Sequence, residues 1–209
     1  MHYTRDHIND LEKIKKINLI NSCSGYKSAN LIGSISKEGI TNVAVFSSVT
    51  HLGSNPPTLG FIVRPTTVPR DTYKNILESN IFTINHVYED ILEDAHHTSA
   101  KYEEEISEFD ITELEAEYHN DCKAPFVKGS PVQMEMRFVE KYHIKSNNVI
   151  HIIAEIKNLY VKDDILQEDG FLDLAKGKVA AINGLDAYAV AKNNSRFNYQ
   201  RPKKLKTMK

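Results

Sequence analysis

A chain of 209 residues with 41% hydrophobic and 26% charged residues has the composition of a folded domain, not of a disordered or fibrous segment. A domain of this size buries roughly 70% of the surface its extended chain exposes, so it needs no disulfide framework or structural metal to hold it. A net charge of −2 excludes a global basic field that would recruit nucleic acid or an anionic membrane.

The two cysteines, Cys23 and Cys122, stand in no CxxC or CxxH spacing and read as reduced thiols of a cytoplasmic protein. The N-terminus MHYTRDHINDLEKIKK is charged and lacks the apolar stretch of a signal peptide. No run approaches the ~18 apolar residues that a spanning helix needs.

In chain order, Ile8, Leu11, Ile14 and Ile17 recur at three-residue spacing among Asp, Glu and Lys. The pattern predicts an N-terminal surface helix within residues 1–18, capped by Thr4 or Asp6, with one stripe packed onto something else. From Ser28 the chain turns strand-like: SANLIGSIS, a turn at KEG where Gly39 can supply a positive φ, then ITNVAVFS. Asn55-Pro56-Pro57 is expected to break pairing, and TLGFIVRP is a third strand closed by Pro65. Asp71 or Thr72 caps a helix through YKNILES, with Tyr73, Ile76 and Leu77 on one face.

IFTINHV is a fourth strand, in which Ile81, Thr83 and Asn85 alternate against Phe82, Ile84 and His86. Residues 88–120 are acidic and irregular, with short helical pieces such as ITELEAEY, the kind of long insertion that often serves as a lid. Two long strand runs follow, SPVQMEMRFVEKYHI and NVIHIIAEIKNLYV, joined by a hairpin at Ser146-Asn147-Asn148. KVAAIN and AYAVA are short strands, and residues 203–209 are a frayed basic tail. About seven closely spaced, hairpin-connected strands with two or three peripheral helices predict a mainly antiparallel β-barrel, not a doubly wound sheet.

Three stretches are rich in hydroxyl, amide and guanidinium groups: Asn42 to Thr50, Arg70-Asp71-Thr72, and Thr98 to Tyr102. A phosphate monoester carries close to two negative charges and several strong acceptors. Hydroxyls, backbone N–H groups and the planar fork of an Arg suit it, and Arg70 and Thr72 stand where a helix dipole begins. Ser and Thr at strand ends are ordinarily turn residues, and Thr72 is by default a helix cap, so composition alone leaves both readings open.

The segment NLIGSISKEGITNVAVFSSVTHLGSNPPTLGFIVRP resembles the first half of the flavin reductase-like, FMN-binding split-barrel family. Arg70-Asp71-Thr72, Asn75-Ile76 and Ile81 to Asn85 are similar to that family's next helix and strand. HHTSAKYEEEISEFD is similar to its Thr-Ser-Ala and Glu-Phe signature, and GLDAYAVAKNNSRFNYQRP to the closing segment of one branch. The likeness extends over residues 19–202, between the N-terminal helix and the basic tail.

The resemblance implies a six-stranded antiparallel, Greek-key-like split barrel with peripheral helices, and a homodimer with the flavin near the subunit interface. By position, Phe46, Ser47, Ser48 and Val49 would line the isoalloxazine and ribityl chain. Arg70 and Thr72 would hold the phosphate, with Ser47 or Ser48 and Arg64 as further candidates; Arg64 could instead lie near the pyrimidine end of the ring. Asn85, Ser99 and Ala100 would border the ring or ribityl.

The implied cofactor is FMN, with FAD as an alternative, and NAD(P)H as a transient co-substrate. The flavin N5 would carry the hydride, so no side chain is expected to be catalytic. The acceptor would be a small molecule or a second flavin. Two alternatives are a non-enzymatic flavin or haem carrier or sensor, and the reductase component of a two-component monooxygenase. His51 and Leu52 stand where the family often has a small or aromatic residue; His51 reads as an exposed loop histidine or as a residue at the ring's outer edge.

Other signals are weaker. Adjacent His96 and His97 would diverge, and His143 and His151 could face each other across strands, but no metal site is expected without a ligand triad. Glu103-Glu104-Glu105 reads as a solvated face. The chain has no GxGxxG for a dinucleotide fold and no nucleophile elbow.

Overall fold

The computed structural model describes residues 1–192 and 195–202; the basic tail assigned to residues 203–209 lies outside the described residues. Two short helices, α1 (Arg5–Asn9) and α2 (Lys13–Ser22), replace the single N-terminal helix. Thr4 caps the first, as expected, and the Glu12 carboxylate accepts from the Ile14 and Lys15 N–H groups to start the second. Neither helix has a fully buried residue; of the stripe expected to pack, Ile8, Leu11 and Ile17 are half-buried and Ile14 is exposed.

The strands follow as β1 (Lys27–Ser28), β2 (Asn30–Ile35), β3 (Thr41–Phe46), β4 (Thr50–Ser54) and β5 (Pro57–Val63). Helix α3 (Asp71–Ser79) leads into β6 (Ile81–His86), and α4 (Leu92–His97) precedes β7 (Ala116–Glu117) and β8 (Phe126–Val127). The long hairpin β9 (Val132–Ile144) and β10 (Val149–Val161) comes next, then β11 (Ala180–Asn183) and β12 (Ala187–Val190). Strand makes up 37% and helix 20%, so the chain is mainly β.

The main sheet is antiparallel, in the order β3-β2-β6-β9-β10-β5-β4; the six expected strands are joined by the short edge strand β4. Its two edges are consecutive in sequence, with only Ser47-Ser48-Val49 between β3 and β4. Laid flat, seven strands would hold their edges about 29 Å apart, at ~4.8 Å per spacing. A three-residue bridge reaches at most about 14 Å. The sheet therefore has to roll up, and β3 and β4 meet as a barrel that is closed by the chain but not by a hydrogen-bond ladder.

Alternation sorts the side chains. Ile32, Phe61, Val63, Phe82, Ile84, Met134, Met136 and Ile152 fill the interior, with Ile76 of α3 plugging one end. Outside, α4, β11 and residues near Leu114 cover the β2-β3 side in a second core containing Leu31, Val43, Ala95, Val127 and Ile182. Residues 88–120 thus contribute to a core and do not form a detachable lid. ITELEAEY is not helical: the Thr112 hydroxyl donates to the Glu108 carbonyl, Asp94 accepts from the Glu113 N–H, and Ala116–Glu117 pairs with Phe126–Val127. These side-chain bonds offer the backbone local partners in place of a helix.

Asn55-Pro56-Pro57 does not break pairing either. The Asn55–Pro56 bond is cis and forms the β4–β5 turn, with Ser54 opposite Pro57. Asn148, at φ 56°, serves the β9–β10 turn as anticipated.

Gly33 is fixed by packing. A Cβ there would run into the Pro125 carbonyl and the Thr83 hydroxyl, which bond each other at 2.6 Å. Gly33→Ala should cost about 2 kcal/mol by overpacking, read as a lower urea midpoint with unchanged slope.

Candidate functional site

The bridge between the barrel's edges is held on both sides. Ser48 Oγ accepts the Ile62 N–H at 3.0 Å and lies 3.4 Å from the Ile62 carbonyl, clipping the bridge to β5. Ser28 Oγ donates to the Val49 carbonyl at 2.9 Å and in turn accepts from Asn30. Phe46 turns inward and meets Phe61 edge-on, with centroids 5.3 Å apart. Ser47 is half-buried and makes no side-chain hydrogen bond among the described residues. Phe46, Ser47, Ser48 and Val49 all lie at the closure, and Phe46 and Ser48 are committed to the fold.

Arg64 follows β5 two residues after Ile62 and is exposed. Arg70 occupies the N-cap position of α3, also exposed, and gives no side-chain cap. Neither guanidinium makes an ion pair among the described residues. The expected cap at Asp71 or Thr72 is therefore corrected: both lie within the helix. Thr72 is buried, and its hydroxyl oxygen accepts from Asn42 Nδ2 at 2.9 Å; Asn42 also reaches Ser34, to which Asn75 donates at 3.2 Å. The Thr72 hydroxyl is a rung of a buried polar ladder and is not a free phosphate ligand. Its backbone N–H, in the first turn of α3, has no intrahelical acceptor.

Ser99 and Ala100 lie in an exposed loop after α4, outside the edge of β3. Lys74 pairs with Glu104, Ser107 bonds Thr41 at 2.7 Å, and the Glu108 carboxylate accepts the Val43 N–H at 3.0 Å. These contacts dock the loop on β3 and blunt its free edge. Burial pushes the Glu108 carboxyl up, with nearby Asp71 adding to it, while the Val43 N–H works against the rise.

Asn85 must be removed from the ligand set. It is fully buried, Nδ2 donates to the Leu31 carbonyl and the Thr83 hydroxyl, and Oδ1 accepts from the Val127 N–H. Its capacity is spent holding β8 against β6, on the side facing the second core. His51 is exposed and bonded to Ser54. His96 and His97 diverge to Tyr188 and Tyr102, and cross-strand pairing with Ile150 and Tyr142 sets His143 and His151 on opposite faces.

Sequence reasoning passed over Ser28, Ile62 and Asn42 as supports. It also missed a bare face. Across β9, β10, β5 and β4 the outward residues are Tyr142, His151 and Ile62 in one row and Ile153 and Gly60 in the next, with Leu52 against Gly60. No core cluster covers this half of the sheet, in contrast to the β2-β3 half. The alternation that marks it was present in VIHIIAEI, where His151, Ile153 and Glu155 form the second face.

The chain matches the flavin reductase-like domain family over residues 26–182. A split-barrel-domain protein of Shewanella frigidimarina, named as a candidate flavin reductase, superimposes with TM-score 0.92 at 46% identity, over 96% of this chain and 100% of that one. Nitrilotriacetate monooxygenase component B of Bacillus cereus shares the fold, with TM-score 0.82 at 18% identity over 94% of this chain and 98% of that one. An uncharacterized protein of Aquifex aeolicus is 31% identical over 66% of this chain and 70% of its own. Among the described residues no helix is long and apolar enough to cross a membrane.

His86 ends β6 at the barrel mouth opposite Asn30, and its Nδ1 is buried with no hydrogen-bond partner among the described residues. Burial lowers its pKa from 6.5 to about 4. Below pH ~6.5 the unfolded chain takes up a proton that the folded chain refuses until about 4, so stability falls as pH drops through that window. The loss approaches ~3 kcal/mol at the acid end. Denaturant titrations at stepped pH should show a shallower decline for His86→Gln than for the parent.

Proposed function

The chain belongs to the flavin reductase-like domain family, and from that premise we propose that it binds FMN and works as an NAD(P)H-dependent flavin reductase, assembled as a homodimer. The observation that carries the cofactor reading is that two guanidiniums, Arg64 and Arg70, stand without carboxylate partners among the described residues at the two ends of the run 64–70, which leads from beside the Ser48–Ile62 clip to the uncapped start of α3. A terminal phosphate suits Arg70's fork and the open N–H groups of the first turn. When bound, the flavin supplies the hydride chemistry through its ring.

The chain's own residues orient and charge the site. The Ser48 clip and the Ser28 bond fix the bridge, leaving the Ser47 hydroxyl and backbone groups as donors toward a ligand. Arg64, beside that clip, favours whichever form of a ligand carries more negative charge. With no dinucleotide-binding half in the chain, NAD(P)H approaches transiently and leaves before a small-molecule or flavin acceptor takes its place. FAD carries the same ring, so relative affinities decide between FMN and FAD. A cytoplasmic location goes with this reading, as do the two free thiols.

The bare outward face supports the dimer. Ile62 and Ile153 are only half-buried, and Leu52 and Tyr142 are 45% and 54% exposed, which suits a self-complementary contact between two copies. Ser48 and Arg64 border that face, so a second copy seated there also borders the flavin site.

Purified protein should be yellow, and NAD(P)H should bleach it without oxygen; a colourless protein that takes up no added FMN ends the reading. Flavin that survives dialysis favours a resident cofactor, and flavin that is lost favours a reductase lending flavin to a separate oxygenase.

Arg70→Ala should weaken FMN binding about tenfold to a hundredfold, the worth of one charged hydrogen bond. Thr72→Ala should weaken it less and lower thermal stability more, because its hydroxyl serves Asn42. Titration of flavin fluorescence and a melting curve separate the two effects. Ile153→Glu should yield monomers by light scattering; an unaltered dimer would move the interface elsewhere.

A further inference from the structure

Strand β9 runs on past Arg137, its last rung with β6, and residues 138–144 pair only with β10. In this arm Lys141 stands opposite Ile152, a core residue, and so points to the barrel's inner side. There its Nζ donates to the Tyr73 hydroxyl at 2.9 Å and lies 5.2 Å from the Tyr73 ring centroid. His143, opposite Ile150, is the next inward residue along the arm. Arg70 and Tyr73 are three apart and so neighbours on the surface of α3.

The charges around α3 are sorted by side. Asp71 lies toward Glu108, whose carboxyl it helps to raise. Lys74 is taken by Glu104, and Lys37 by Glu78. Glu140 points to the outer face with Ile153 and accepts from Tyr142. On the flank facing the arm, Arg70, Lys141 and His143 make no ion pair among the described residues. The acids of α3 and the 104–110 segment are thus grouped on one side, and two cations, Arg70 and Lys141, unpaired among the described residues, are held on the other.

We propose that Lys141, positioned by Tyr73, is a binding residue that selects ligands bearing a terminal phosphate monoester at this flank. The proposal rests on the flavin reductase reading. Two sources present that chemistry: the 5′-phosphate of FMN, absent from riboflavin, and the 2′-phosphate of NADPH, absent from NADH. A Lys ammonium is a compact charge that can meet either, and its tie to a tyrosine instead of a carboxylate leaves the charge available.

The test uses the full chain, with Lys141→Gln, Lys141→Arg and Tyr73→Phe compared with the parent. Binding of FMN and of riboflavin is measured by fluorescence, and KM for NADPH and NADH with flavin supplied. Lys141→Gln should lose about tenfold or more toward the phosphorylated member of one pair and leave its partner unchanged. Lys141→Arg should restore most of that loss, and Tyr73→Phe should show a smaller one.

A change confined to FMN against riboflavin assigns the flavin phosphate, and a change confined to NADPH against NADH assigns the dinucleotide. Equal losses for both members of each pair, or none, would overturn the proposal and leave Lys141 as a strut between the arm and α3. Failure of the parent to bind any flavin would sink the flavin reading as well, whereas normal FMN binding with an indifferent Lys141→Gln sinks this inference alone.

Discussion

Three residues join the two edges of a seven-stranded sheet, and the rest of the molecule adjusts to that short reach. The sheet has to curl, its apolar alternation then faces inward, and the closure must be made by side chains because β3 and β4 do not pair. Ser48 and Ser28 supply that closure with hydroxyls. A hydroxyl suits the task because it can accept from one backbone group and donate to another in a space too tight for a longer polar side chain. The same stretch is where the family resemblance placed the flavin. A seam closed without a β-ladder leaves backbone groups of Ser47 and its neighbours without strand partners.

Closing the barrel also divides its outer surface. One half is covered by α4, β11 and the 107–114 segment, where the buried Glu108 carboxylate accepts the Val43 N–H of β3. The other half, through β9, β10, β5 and β4, keeps Ile62 and Ile153 half-buried with no core cluster of the described residues above them. Gly60 matters to this half. A Cβ there would strike the His151 imidazole, so the ring lies flat on the β5 backbone and the face stays shallow.

Much of the fold could be read from alternation. IFTINHV separated Phe82, Ile84 and His86 from Ile81, Thr83 and Asn85, a division the structure resolves with Phe82 and Ile84 in the interior, and the long β9–β10 hairpin stood out through its two strand runs. The reading failed where one residue type serves two roles. A threonine at a helix start reads as a cap, but Thr72 lies two residues past the N-cap position and points at Asn42. An asparagine at a strand end reads as a ligand, but Asn85 has both ends of its amide bonded inside the protein. Asn-Pro-Pro reads as a break, whereas the bonds around it make a tight turn. For Thr72 and Asn85 the deciding fact is a partner far away in sequence, which local pattern does not carry.

The buried ladder Thr72–Asn42–Ser34–Asn75 explains how α3 comes to present the flank it does. Polar groups buried without partners cost enough that this helix has one acceptable rotation, the one in which Thr72 and Asn75 meet the barrel. Ile76, one residue on, then falls into the interior core. At about 100° per residue, fixing Thr72, Asn75 and Ile76 inward leaves Asp71 and Glu78 on one side of the exposed surface and Tyr73 on the other. The basic and acidic flanks are therefore consequences of a packing requirement in the core. A substitution in the ladder would turn the helix and scramble the charges that face the arm.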